Sequence, residues 1–300
     1  MILPFEIVIE RIAAVVGEQT HDNLGVASPE VVAATGFPAR RTTDGTLFGM
    51  ASKAAAAAVS GIDPGEIAGV VAATFSNEVR FPSLAVRIAS QLRLDSSVPA
   101  FDVQMACSAY PYALMVAGQL AAASGGKVLV VDGDVQSRFA KEPATEVVAS
   151  DACTATLAAA GEGTSRFAFY SGYGEQLKCA ERMEMDGFGV FSFVATTVRK
   201  TIMELLEAEG CRPDWFVPHQ ANMYMIRRLA KSLGLSDRIL SCGERYGNVG
   251  SASVPLTIAS CAERFRHGGG RVLVAGFGAG LSASVGFVRI ADGFAGVVED

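Results

Sequence analysis

The 300 residues carry 25 Lys and Arg against 31 Asp and Glu, a formal charge of −6, and half of them are apolar. That length accommodates one large or two ordinary domains around a sizeable core, and the acidic balance speaks against nucleic acid as the general partner, since phosphate binding needs a basic face. Met1 to Glu6 has no basic region, Glu6 and Glu10 interrupt the apolar residues around them, and the longest apolar run, Ala109 to Leu120, contains Pro111, Gly118 and Gln119; neither a secretory signal nor a membrane span is expected, which leaves the cytoplasm as the expected compartment.

Along the chain, β-branched runs alternate with alanine-rich stretches, the pattern of an α/β protein with buried sheets. Ala51–Val59 reads as a helix, Ile67–Thr74 as a strand, Ser83–Leu92 as a helix, Val98–Val103 as a strand, Ala109–Ala122 as a helix and Lys127–Asp132 as a strand. Further on, Thr197–Glu209 reads as a helix, Trp215–Pro218 as a strand, Met223–Leu233 and Val254–Phe265 as helices, and Arg271–Ala275 as a strand. Gly126-Lys-Val-Leu-Val-Val131 is echoed by Gly270-Arg-Val-Leu-Val-Ala275 at an offset of about 144 residues. The stretch Ala54 to Thr74 parallels Thr201 to Asn222, and the surroundings of Cys107 parallel those of Asn248. The chain therefore reads as two similar halves, 1–165 and 166–300, meeting near residues 162–170. Two such units bury helices between two sheets and bring strand ends from both halves to one cleft, where strand-to-helix turns gather polar groups.

Four of those turns carry chemistry. Phe101-Asp-Val-Gln-Met-Ala-Cys107 runs off a strand into a helix, and the positive helix end favours a thiolate at Cys107; the other reading is a small buried apolar residue. Asp214-Trp-Phe-Val-Pro-His219-Gln-Ala-Asn222 has the same shape, with His219 either a catalyst or a hydrogen-bonded structural residue. Tyr246-Gly-Asn248-Val-Gly-Ser-Ala-Ser-Val-Pro255 places Asn248 before an apolar helix, as a polar participant or as a turn residue. Ala275-Gly-Phe277-Gly-Ala279-Gly-Leu281 follows a strand without phosphate-loop or dinucleotide spacing, which favours an oxyanion site. The six cysteines, at 107, 153, 179, 211, 242 and 261, have no zinc-type spacing, and only three histidines are present; reduced thiols and neither metal nor cofactor are expected.

Together these segments resemble the β-ketoacyl-acyl carrier protein synthase III family from about Ser60 to Ile290. His219-Gln-Ala-Asn222 after Val217-Pro218 is the most specific match. Phe81-Pro-Ser83, Ala106-Cys107-Ser108, Met185-Asp-Gly-Phe-Gly-Val-Phe191 and Gly247-Asn248 support it. The resemblance implies a thiolase-like fold of five αβαβα layers built from two pseudo-symmetric halves, and a homodimer. It implies that Cys107 takes an acyl group from a thioester. A malonyl thioester then loses carbon dioxide, and its enolate, hydrogen-bonded by His219 and Asn248, attacks the acylated cysteine. The backbone N–H groups of Cys107 and Ala279 would hold the second oxyanion, and alanine at 279 would be strained if that position needed positive φ. Phe81, reaching across a dimer, together with Met105, Phe277 and Leu281, would shape the acyl pocket. Arg227, Arg228 and Lys231 would dock an acyl carrier protein.

The sequence departs from the family where donors bind. Relatives that use coenzyme A resemble one another in a tryptophan before the Thr-Gly turn and an arginine that sandwich the adenine. Here Ser28 to Gly36 has no tryptophan, and the arginine's place falls near Pro143. Ser150-Asp-Ala-Cys-Thr154 replaces a glycine-rich motif, and the segment from Gly161 to Met185 is short. A carrier-bound or atypical thioester donor is therefore expected, with Arg40, Arg41 and Arg138 the cations available to substitute. Other readings stay open at this point: a cysteine hydrolase, because Cys, His and Asn follow papain's chain order; an acyltransferase passing the group to an alcohol or amine; and a non-catalytic subunit of a heteromeric synthase.

Overall fold

The computed structural model describes residues 1–299. Strands Ile67–Ala73, Lys127–Asp134 and Gly270–Gly278 are nearly continuous apolar runs buried on both faces. Along the first two, Val71 and Val130 enter a central core while Val70 and Leu129 enter an outer one; along the third, Val272 enters the same central core and Leu273 a different outer one. A strand apolar on both faces needs a helix on each side. Helices Ala109–Ser124 and Ser253–Ser260 fill the centre, Leu47–Ala58 and Leu84–Gln91 cover one outside, and Arg199–Glu209 and Met223–Ser232 cover the other. The layers are αβαβα, as in thiolase-like folds.

In one wing Ala100–Val103, Ile67–Ala73 and Lys127–Asp134 run parallel, and Ala152–Gly161 and Glu6–Val16 follow antiparallel. The other wing repeats the scheme. Trp215–Pro218 runs parallel to Gly270–Gly278, Gly280–Glu299 and Ser165–Gly174 follow antiparallel, and a parallel bridge from Phe216 to Ile239 stands where the first wing has a full strand. The two sheets expected from the sequence are one ten-stranded sheet, because Gly280–Glu299 also pairs in parallel with Glu6–Val16 across a bulge between Ile290 and Ala295.

One predicted helix ends early. Ser253–Ser260 stops short of Phe265, and a 3-10 turn at Ala262–Arg264 swings that fully buried ring into the central core against Phe294. Among the described residues no helix is long and apolar enough to cross a membrane.

Candidate active site

Strand Ala100–Val103 delivers the chain to a 3-10 turn, Ala106–Ser108, that opens the helix Ala109–Ser124. Ala106 holds φ at 43°, a left-handed conformation that costs a non-glycine residue on the order of 1–3 kcal/mol. Surrounding contacts hold it there. The Ser108 hydroxyl donates to the Met105 carbonyl at 2.8 Å, and Ser284 donates to the Ser108 carbonyl at 2.6 Å. Strand Gly270–Gly278 runs past this turn so closely that a Cβ at Gly276 would lie 2.9 Å from Ser108 Cα, and one at Gly278 2.9 Å from Cys107 Cβ. The glycines read as a turn are thus mostly strand, small because backbone must pass the cysteine. Ala279 follows without strain, since positive φ outside glycine is confined to Arg93 and Ala106 among the described residues.

The thiol departs from expectation. A helix start favours thiolate, but burial, then Asp134 and Asp132, push the Cys107 thiol up to about 12. The side chain is half-buried and faces a cavity. Burial also raises both carboxyls. Asp134 reaches about 6 even though its Oδ1 accepts from Thr74, Ser76 and the Phe75 amide, and Asp132 stands well above the usual range. Loss of water is the largest cause of the raised thiol, ahead of the two carboxyls.

His219 directly follows strand Trp215–Pro218 and is 2% exposed. Its N–H donates to the Ala275 carbonyl at 2.7 Å, its Nδ1 lies 2.9 Å from Ser253 Oγ, and its ring meets Phe277 edge-on. Burial pushes its pKa down to about 4, a shift the Gly250 carbonyl partly opposes, so the imidazole is neutral at pH 7 and carries one N–H. Asn248 lies on a short parallel bridge to Ala149. Its Oδ1 accepts the Gly250 N–H at 2.9 Å, which fixes the amide oxygen and leaves the NH2 as the group to offer elsewhere. Of the motif's other residues, Asn222 caps helix Met223–Ser232 through the Met225 N–H, and Gln220 accepts from the Cys242 and Gly243 amides.

Cys107, His219 and Asn248 line one cavity of about 570 Å³. Met105, Phe277 and Ala279 also face it. Leu281 does not, packing into the outer core instead, and Phe81 projects 85% exposed away from its own chain's cavity. Much of the wall escaped sequence reasoning: Val31, Phe139, Val147, Leu177, Met183 and Met225 also line the cavity, and none of them was singled out from the sequence.

The family described as 3-oxoacyl-[acyl-carrier-protein (ACP)] synthase III matches residues 101–172, and its C-terminal part matches 208–290. An Escherichia coli O1:K1 / APEC protein named β-ketoacyl-[acyl-carrier-protein] synthase III is 34% identical over 268 residues, covering 81% of this chain and 84% of the relative. The chain belongs to the β-ketoacyl-acyl carrier protein synthase III family. A 3-oxoacyl-(acyl-carrier protein) synthase from Burkholderia xenovorans LB400 superposes with a TM-score of 0.92 at 24% identity, over 99% of this chain and 98% of that one, a likeness of fold. The priming β-ketosynthase of the R1128 polyketide pathway superposes with a TM-score of 0.87 at 27% identity, over 97% and 98%. This synthase III relative is a condensing enzyme of the transferase class.

Other motifs of the synthase III family prove to be caps. Asp102 accepts from Leu84 and Ala85 at the start of helix Leu84–Gln91, beside Ser83, and Asp186 accepts from Phe188 and Gly189. The cations expected to replace the adenine sandwich are committed elsewhere. Buried Arg40 pairs with Glu146 at 2.6 Å, Arg41 donates to the Gly17 carbonyl at 2.8 Å, and Arg138 binds Gly45 and Glu78. Trp215 packs on the central core under Arg264, outside the cavity wall. On the exposed face of helix Met223–Ser232, Arg227 pairs with Glu244, Arg228 stacks over Tyr224, and Lys231 is exposed.

Proposed function

We propose that Cys107 is the acylated nucleophile and that His219 and Asn248 stabilise the malonyl-derived enolate in a decarboxylative condensation. The observation that carries this reading is one apolar cavity faced by a thiol, a neutral imidazole and an amide whose oxygen is already committed. In the first step the Cys107 sulfur bonds to the acyl carbon, the carrier's sulfur leaves, and the thiol proton passes to it. The exchange therefore needs no standing thiolate. In the second step the malonyl C–C bond breaks, carbon dioxide leaves, and the electron pair becomes an enolate whose oxygen accepts from His219 and Asn248. Its carbon attacks the acyl-cysteine carbonyl, whose oxygen is held by the Cys107 and Ala279 N–H groups until the C–S bond breaks and the Cys107 sulfur leaves, taking up a proton from solvent. Loss of one such donor typically costs about 10²–10³ in rate.

The same reading supplies the partners: an acyl carrier protein on the face of Arg227, Arg228 and Lys231, and a second copy of the chain whose cavity receives Phe81. The halves 1–165 and 166–300 supply Cys107 on one side and His219 and Asn248 on the other. The donor is carrier-bound or atypical, because among the described residues the cavity is lined by Val31 and Val147 and carries no aromatic–guanidinium sandwich. Mass spectrometry of products from malonyl-carrier protein and a panel of acyl thioesters tests the proposal. A β-ketoacyl product two carbons longer than the donor's acyl group is expected, and only free acid, or only an ester or amide of the donor acyl group, would overturn it.

A further inference from the structure

Behind the cavity wall lies a carboxyl with no part in these steps. Asp132 is fully buried on strand Lys127–Asp134; Ser251 donates to its Oδ1, and its Oδ2 has no partner among the described residues. Ser251 directly follows Gly250, and Gly250 holds one of the two enolate donors. Its N–H fixes the Asn248 amide at 2.9 Å, with the residue itself at φ 65°, where a side chain would be strained. The backbone of Asn248 is anchored separately: its carbonyl accepts from Ser150 and Gln136, and its N–H donates to Val148. On the far side of Gly250, the Ser251 hydroxyl is the first side-chain anchor, and Asp132 is what it holds.

We propose that Asp132 is a positioning residue that, through Ser251, holds the Gly250 N–H in the orientation that fixes the Asn248 amide. The titratable groups that share the field of Asp132 are Asp134, Cys107, Tyr110 and Cys153, none of them basic, and burial raises its carboxyl. An amide at this position keeps an acceptor for Ser251 and adds no charge.

The inference rests on the enolate roles given to His219 and Asn248, and the two half-reactions are measured apart so that the failures differ. Ser251→Ala lowers malonyl-thioester decarboxylation by about tenfold or more, while acylation of Cys107, followed by intact mass, stays within about threefold of the parent. Asp132→Ala behaves like Ser251→Ala, and Asp132→Asn recovers decarboxylation to within about threefold. If Asp132→Ala does not fold, Ser251→Ala and Asp132→Asn carry the test. Decarboxylation unchanged in Ser251→Ala, an equal loss in both half-reactions, or an Asp132→Asn variant as slow as Ser251→Ala overturns the inference. Unimpaired decarboxylation in His219→Ala would overturn the proposed function instead.

Discussion

Replacing His219 by glutamine removes a ring that burial holds neutral, with its pKa at about 4 against an ordinary 6.5. In the unfolded chain the same ring takes up a proton near pH 6.5. Between those values the native state binds fewer protons than the unfolded state, so this stability is present above pH 6.5 and is lost as pH falls towards 4. Between pH 7 and pH 4.5 the loss is about 2 to 3 kcal/mol. Asp134 works the other way. Its carboxyl is raised to about 6, the native state holds that proton more tightly than the unfolded chain, and acidification over the same interval recovers about 2 kcal/mol. In the parent the two nearly cancel, so only the comparison with the variant is diagnostic. Urea denaturation at both pH values, followed by fluorescence of Trp215, measures it. Any constant cost of glutamine cancels in the double difference, which is expected to favour His219→Gln on acidification by about 2 to 3 kcal/mol. A double difference below about 1 kcal/mol would refute a buried neutral imidazole.

Alkylation of Cys107 by iodoacetamide in the ligand-free protein is expected to rise about tenfold per pH unit from 7 to 9, since the thiol is pushed to about 12; a plateau below pH 9 would place the thiolate within reach after all. Asn222→Ala removes the cap on helix Met223–Ser232 and is expected to cost about 1 kcal/mol in chemical denaturation, the usual scale of a lost N-cap; an unchanged midpoint would deny it that role. Arg227→Glu with Lys231→Glu is expected to raise the carrier protein's KM in a salt-sensitive way without altering Cys107 alkylation, and an unchanged KM would move the docking face elsewhere. Intact-mass timing of Cys107 acylation, with one acyl group on coenzyme A and on carrier protein, is expected to favour the carrier by about tenfold or more; matched rates would show that the missing sandwich does not matter.

Strands buried on both faces were legible locally, because a run such as Trp215–Pro218 is apolar whatever its neighbours, and the structure begins and ends that strand at the predicted residues. The same holds for the strand-to-helix turns that present Cys107 and His219. Glu6–Val16 and Gly280–Glu299 were not legible as strands. One carries Glu10 and Arg11, the other Asp292 and Gly293 at its bulge, and what makes them strands is their pairing with segments far away in sequence. Electrostatics were the least legible. A helix start alone argues for a thiolate at Cys107, but burial and two carboxyls from strand Lys127–Asp134 raise the thiol instead. Arg40 reads as a free cation until Glu146, more than a hundred residues on, is found beside it. The amino-acid sequence by itself determined the alternation of strands and helices and the strand-to-helix turns at Cys107 and His219, since periodicity and residue chemistry are local. Protonation, the cavity wall and the Asp132–Ser251–Gly250 chain were decided only by the tertiary structure, because desolvation and hydrogen-bond partners depend on what folding brings alongside.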